Sequence, residues 1–262
     1  MRTGKGVKTA FVTEIDPKQG RIKVEYRGIE TRLESAWAYM AAPMSGKGRG
    51  ALFMPEKGDE VLVCFGDGDF GHPYVVGFLW NGEHTSPETE AQNRVIVTPG
   101  GHHLRFEDKP NAKKVVLRTD GKRELLLDDK PAAGKVQLTS SEHRVLLDDL
   151  PGGSKIEIKA GKAVGVTITL NATPTPSLSI QVGATNTIDV GPAGVNITVG
   201  GSAQITAAGT TTITAAGAVN VSASTLNVTS ALTTFSGVVV ASAVITNSIV
   251  SPVYSPGIGN LI

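Results

Sequence analysis

Two doublets of acids, Asp128-Asp129 and Asp148-Asp149, are the first residues whose type and spacing could do chemistry. Paired carboxylates serve glycoside hydrolysis or hold Ca²⁺. Both doublets occur in the same setting, Leu-Leu-Asp-Asp-x-Pro, which marks them as solvated turn acids. His102-His103 is the second candidate. Neighbours on a strand point to opposite faces, so one chain cannot close both rings on one metal, although three chains around an axis could. Cys64 is the only cysteine and lies inside an alternating apolar run, where an inert buried thiol is expected. It excludes an intrachain disulfide framework and fits a reducing compartment. There is no Gly-x-Ser-x-Gly, Walker motif or Cys-x-x-Cys. The residues indicate neither an enzyme nor a cofactor.

The acid doublets belong to a repeat. His103-Leu104-Arg105-Phe106-Glu107-Asp108-Lys109-Pro110 aligns with the segments ending at Pro131 and Pro151, spacings of 21 and 20. A Lys and an alternating strand follow each copy: Val115-Val116-Leu117, Val136-Gln137-Leu138 and Ile156-Glu157-Ile158. Strand, Asp-x-Pro turn, strand is the unit.

From Ala163 to Ile262 the chain holds one hundred residues and one charged side chain, Asp189. Val166-Ile168-Leu170, Leu178-Ile180-Val182, Val195-Ile197-Val199 and Val219-Val221 alternate with Thr, Ser, Gly and Asn. Period two in β-branched residues means strands with one buried face. The parity of the apolar positions flips between Val182 and Val195, as an added turn residue would cause. Ile205-Thr206-Ala207-Ala208-Gly209 returns eight residues later as Ile213-Thr214-Ala215-Ala216-Gly217. A fixed short period signals a solenoid. No run approaches ~18 consecutive apolar residues, which argues against a membrane-spanning helix, and the periodicity argues against disorder.

Net charge over 262 residues is +1, which calls for neither nucleic acid nor an anionic membrane. Residues 1–91 carry 11 Lys+Arg and 13 Asp+Glu, residues 92–162 carry 14 and 10. No charged, apolar signal segment opens the sequence, so assembly in the cytoplasm is expected.

Strands are predicted over 7–12, 21–26, 35–40, 60–65 and 74–79, with turns rich in Gly and Pro. Five short strands suggest a barrel of the OB type. Its near-neutral charge and few aromatics do not make a nucleic-acid groove, and Trp37 and Trp80 are expected in its core.

The run from Trp37-Ala38-Tyr39 through Gly48, Gly50, Pro55, Gly58, Asp59 and Glu60 to Gly68, Asp69, Pro73 and Gly77 resembles the injector OB domain. That domain marks the central spikes of contractile injection systems, the type VI secretion VgrG family and phage baseplate protein V. These motif residues are structural in that family. Thr98-Pro99-Gly100-Gly101-His102-His103 is similar to the segment that begins the β-helix of such spikes. The resemblance implies an all-β trimer, an OB barrel followed by an intertwined triple-stranded β-helix. The expected division is 1–82 barrel, 83–93 linker, 94–162 charged proximal repeats, 163–250 narrow distal β-helix and 251–262 tip segment. The thirteen residues from Asn81 to Asn93 cannot hold the lysozyme domain of T4-type spikes. Tip iron sites in some phage spikes use His-x-His near the C-terminus; no His follows His143, so no tip iron is expected.

Further expectations rest on the resemblance. The sequence opens almost at the barrel, so the hub is expected as a separate baseplate protein at that end, with the inner tube reached indirectly; the alternative is a fragment lacking that hub. A PAAR-repeat tip protein would dock on Tyr254, Ile258, Leu261 and Ile262. The target membrane would be met only on puncture, by a tail or an injection particle. A receptor-binding fibre or adhesin stalk is the alternative, but would want an aromatic carbohydrate face. A β-helical polysaccharide-degrading enzyme would want clustered acids in a groove.

Overall fold

The computed structural model describes residues 6–26, 33–162, 164–248 and 250. The chain divides into two compact units, one up to Ala203 and one from Gln204.

Seven short strands open the first unit: β1 (Lys8–Asp16), β2 (Arg21–Tyr26), β3 (Ala38–Met40), β4 (Ser45–Gly46), β5 (Arg49–Gly50), β6 (Glu60–Phe65) and β7 (Pro73–Phe78). Five of them close a barrel in the order β1-β2-β3-β7-β6. All neighbours are antiparallel except β3 and β7, which run parallel. The alternation of Arg21–Tyr26 turns Ile22, Val24 and Tyr26 inward, and Val61, Val63 and Val75 meet them. Ala10 and Ala38 are fully buried beside them. A small barrel has a narrow interior, so Val and Ala suffice to fill it.

Neither tryptophan joins that core. Trp80 is 68% exposed. Trp37 is partly exposed beneath the Arg21 guanidinium and the Lys23 ammonium, which lie 4.9 and 5.2 Å from its ring centre. The small neighbour Ala38 takes the inward position and turns the indole out, where two cations cover it. Cys64 is likewise only partly buried.

Burial pushes the Tyr26 phenol up from 10.0 to about 12, with the Ser35 side chain acting against it. A raised folded value favours the neutral form, so this contribution to stability is complete below pH 10 and is lost as pH rises through 12. In an alkaline absorbance titration a late tyrosinate component is expected near pH 12, and Tyr26→Phe should remove it. Retention of that component in the variant would refute the assignment.

Eleven strands follow as one antiparallel meander: β8 (Asn93–Val97), β9 (His103–Glu107), β10 (Lys114–Arg118), β11 (Glu124–Asp128), β12 (Lys135–Thr139), β13 (His143–Asp148), β14 (Lys155–Ala160), β15 (Val166–Asn171), β16 (Ser177–Val182), β17 (Asn186–Gly191) and β18 (Gly194–Thr198). Each pairs only with its neighbours in sequence. The parity flip falls at the β17–β18 hairpin, where Gly191 faces Gly194 across a two-residue turn.

From 199 to 248 no described residue lies in a strand. Among the described residues, none from 201 to 248 makes a backbone-to-backbone hydrogen bond. The alternating burst at Val219-Val221 therefore has no partner strand among the described residues.

Candidate functional site

The register of the meander aligns its apolar residues into continuous rows. One row runs Leu104, Leu117, Leu125, Leu138, Val145, Ile158, Ile168, Ile180, Ile188 and Ile197. A second runs Phe106, Val115, Leu127, Val136, Leu147, Ile156, Leu170, Leu178, Val190 and Val195. Side chains two apart on a strand share a face, so both rows lie on one side of the sheet. β8 adds Ile96 to the first row and Arg94 to the second.

The opposite side is polar along its outer rows, while its middle row sets Val95, Val116, Leu126 and Leu146 among Arg105, Gln137 and Glu157. Glu107, Lys114, Asp128, Lys135, Asp148 and Lys155 stand opposite one another in turn, an acid facing a base at every step. Opposite charges across a strand pair stabilise it by about 0.2–1 kcal/mol each. Leu146 is buried on this side among its long neighbours. Glu157 bonds Arg144 and Lys155. Desolvation raises the Glu157 carboxyl, but hydrogen bonds from Arg144 and Lys155 outweigh it and hold the group below its ordinary value.

Coverage of the two faces is the reverse of what water demands. On the apolar side Leu138 is 56%, Leu117 52% and Ile158 42% exposed. On the polar side the Glu157 side chain is 12% exposed. Two rows of Leu, Ile and Val open to solvent along a sheet form a contiguous apolar surface, which marks an interaction site.

The motif glycines and acids of the barrel lie in its turns. Gly58, at φ +94°, donates its N–H to Val12 O at 2.9 Å. Asp59 accepts from Glu56 N at 2.8 Å, which closes the turn that begins at Pro55. Glu60 accepts from Asn81 Nδ2 at 2.9 Å. A Cβ on Gly50 would lie 2.8 Å from Met44 O, so the β4–β5 hairpin admits no larger residue there. Gly48 and Gly68 adopt φ of +67° and +72°. Asp69 accepts from Gly71 N at 2.9 Å and contacts His72 Nδ1 at 3.0 Å. These bonds, the Gly71 N–H first, hold its carboxyl below the ordinary value. Pro73 and Gly77 lie on β7, Pro73 fully buried. Outward from β3 and β7, Tyr39 stacks on Tyr74 at 6.3 Å between centroids, with Phe78 exposed on the same strand as Tyr74.

The segment between barrel and meander is bonded at both ends. Asn81 Oδ1 accepts from Glu83 N and His84 N at 2.9 and 2.7 Å. Glu88 accepts from Thr89 N, Glu90 N and Asn93 Nδ2 and lies 2.9 Å from Arg105 Nη2 on β9. The Glu90 N–H is the largest of the causes that hold the Glu88 carboxyl low. Composition alone read this stretch as a linker; the turn-forming Asn and Glu side chains that organise it are local signals.

The acid doublets separate in space. Asp128 is buried, not solvated: it accepts from Lys130 N at 3.1 Å and faces Lys114 Nζ at 3.8 Å. Asp129 and Asp149 are exposed and offer their backbone N–H to Lys113 O and Gly134 O. His102 Nδ1 accepts from Asp120 N at 3.1 Å, and His143 Nδ1 from Gly161 N at 3.3 Å. These imidazoles brace turns. Among the described residues no group of three or more His, Cys, Asp or Glu could hold a metal ion. Tyr254, Ile258, Leu261 and Ile262 lie outside the described residues.

Residues 8–80 match the family described as the type VI secretion system/phage-baseplate injector OB domain. The chain is 30% identical over 129 residues to the type VI secretion system spike protein VgrG4b of Pseudomonas aeruginosa, covering 42% of this chain and 16% of that protein. It is 34% identical over 109 residues to VgrG5 of the same organism, with 37% and 14% covered. To the spike protein of Escherichia phage P2 it is 25% identical over 109 residues, with 42% and 49% covered. The matches thus span about a sixth of the secretion-system relatives and about half of the phage one.

Proposed function

We propose that this chain, a VgrG-like spike protein of a contractile injection system by its injector OB domain and its spike relatives, works as a homotrimer that pierces the target envelope and carries a tip protein. The observation that carries the trimer is the open apolar face. A second and third copy of the same sheet, set around a threefold axis, cover each other's rows and remove lateral edges. The other face carries the charge pairs. The meander runs as one continuous antiparallel ladder from β8 to β18, with no hinge between its strands. Such a part suits the transmission of force. It is a mechanical component and not an enzyme.

The unpaired backbone from 201 to 248 supports the same reading. Buried backbone donors and acceptors need partners, and segments with an eight-residue strand period gain them from neighbouring chains. The small Ala, Gly and Thr residues there fit a narrow shared axis. In this reading the chain is assembled in the cytoplasm into a tail or injection particle. A hub attaches at the barrel, and a PAAR-type protein attaches through Tyr254, Ile258, Leu261 and Ile262.

Light scattering on a gel-filtration peak tests the assembly. A particle of 81.6 kDa (3 × 27.2) is expected, resistant to mild SDS; a 27.2 kDa particle would overturn the trimer and the piercing role with it. Deletion of residues 251–262 should then abolish co-purification with a PAAR-type protein while the trimer persists. Unchanged co-purification would remove the tip from the assignment.

A further inference from the structure

The barrel carries an apolar surface of its own, apart from the rows of the meander. Tyr39 on β3, Phe78 on β7, and Met44, Leu52 and Phe53 around the β4–β5 hairpin are each more than half exposed. With Met40 they line one groove of about 790 Å³. Tyr39 stands opposite Tyr74 on β7. From there to Phe78 the wall runs four residues, about 13 Å at 3.3 Å per residue. That length matches a short stretch of extended polypeptide.

The rim is basic. Lys18, in the turn between β1 and β2, and Arg49 on β5 line the groove, and among the described residues no acid does. Lys47 is exposed at the turn between β4 and β5. Asp16, the acid nearest to Lys18 in sequence, is held by Arg21 at 3.1 Å. Residues 1–91 hold more acids than bases, 13 against 11, so the positive excess at the groove is local. Exposed aromatic, Met and Arg side chains are what protein interfaces favour, and cations around an apolar floor select a partner that brings acids. Nucleic acid also brings negative charge, but it needs open ring faces on which bases stack. The Tyr39 ring is already stacked on Tyr74, and Met, Leu, Ala and Pro outnumber the rings along the lining. Within this chain, segments that combine apolar residues with acids, such as Glu124–Asp128 and His143–Asp148, are paired on both edges in the meander. Another protein must supply the occupant.

We propose that this groove of the barrel receives an extended segment of another protein, carrying apolar side chains among Asp and Glu. The apolar ones enter between Tyr39, Phe53 and Phe78, and the acids meet Lys18, Lys47 and Arg49. The inference rests neither on the trimer nor on the piercing role, and adds to the barrel a partner of stated chemistry.

Random dodecapeptides displayed on yeast and selected on the immobilised full-length protein supply the probe. Recovered peptides are synthesised with a fluorophore and titrated by anisotropy. Sequences rich in Asp and Glu among Leu, Ile and aromatic residues are expected. Lys18→Glu combined with Arg49→Glu should weaken their binding at least about tenfold, and so should Phe53→Ser. All three positions are exposed, so both variants should keep the gel-filtration mass of the unmodified protein, and either one suffices for the test. Recovered peptides without an excess of acids, binding that ignores both variants, or no enrichment at all overturns the inference. Labelled oligothymidylate that binds more tightly than every peptide, and is lost in the variants, overturns it as well and makes the groove a nucleic-acid site. The mass of the unmodified protein is read separately by light scattering, so failure of the trimer and failure of the groove are distinct results.

Discussion

Ile158→Glu is expected to turn an 81.6 kDa particle (3 × 27.2) into a 27.2 kDa chain. Ile158 stands in the middle of the first apolar row, between Val145 and Ile168. In the single chain it is 42% exposed, so a carboxylate there meets water and leaves the sheet intact. In a trimer the same position faces two other copies, and three carboxylates would converge in a dry interior. The effective penalty is several kcal/mol for each buried ion, enough in triplicate to exceed what a few apolar contacts return. The replacement is charged, so relaxation of the packing cannot absorb it as it would a smaller apolar residue. Lys159→Glu is the control. Its neighbours are Arg144 and Thr167 on the polar face, and the particle should keep its mass. Light scattering of the two variants decides the matter. A trimer that survives Ile158→Glu would mean that the apolar rows are covered by something other than this chain.

The second large effect concerns residues beyond Ala203. A chain ending there retains the barrel and the whole meander, and its apolar faces should still associate. Its resistance to SDS should be lost. Residues 201 to 248 have no strand pairing of their own. If they acquire it from neighbouring chains, dozens of backbone hydrogen bonds form between copies, each with a net worth of about 0.5–1.5 kcal/mol. Separating the copies then requires all of them to open together. Dissociation of the shortened trimer in SDS should accelerate at least about a hundredfold, which corresponds to only about 2.8 kcal/mol at 1.4 kcal/mol per factor of ten. Gel mobility of unboiled samples over time measures it. Equal lifetimes for the full and shortened chains would show that the distal residues do not interlock.

Much of the fold was legible because the barrel strands and the repeats speak through period two. Arg21–Tyr26 and Glu60–Phe65 have the bounds that alternation predicts. The first strand runs on to Asp16 because a bulge between Val12 and Glu14 absorbs the break in phase. The third is shorter than predicted, Ala38–Met40 in place of 35–40. Its large residues misled. Trp37 and Tyr39 are the conspicuous apolar side chains, yet Ala38 is the inward one, because barrel diameter and not hydrophobicity decides which parity faces in. Strand β17 went unseen because its alternation is only two apolar residues long, Ile188 and Val190, with Asp189 in the polar phase between them; the Ser179 hydroxyl bonds that carboxylate from the adjacent strand. Asp128 looked like its exposed neighbour Asp129, and only the cross-strand lysine, Lys114, distinguishes them. The apolar face could be named residue by residue from sequence. That it stands open could not, since coverage depends on copies of the chain that a sequence does not count.

The hairpin rows carry a consequence for length. From β9 to β14 each hairpin hands its two apolar rows to the next in the same phase, so that stretch has no strand that must be first, middle or last. Prolines recur every 21 and 20 residues. Adding or removing one such two-strand module leaves every remaining row in line and changes the ladder by about 9.6 Å at 4.8 Å per strand. The meander is thus a ruler with interchangeable divisions. Reach can be altered by duplication or loss of a short stretch of gene, without redesign of the barrel or of the distal residues.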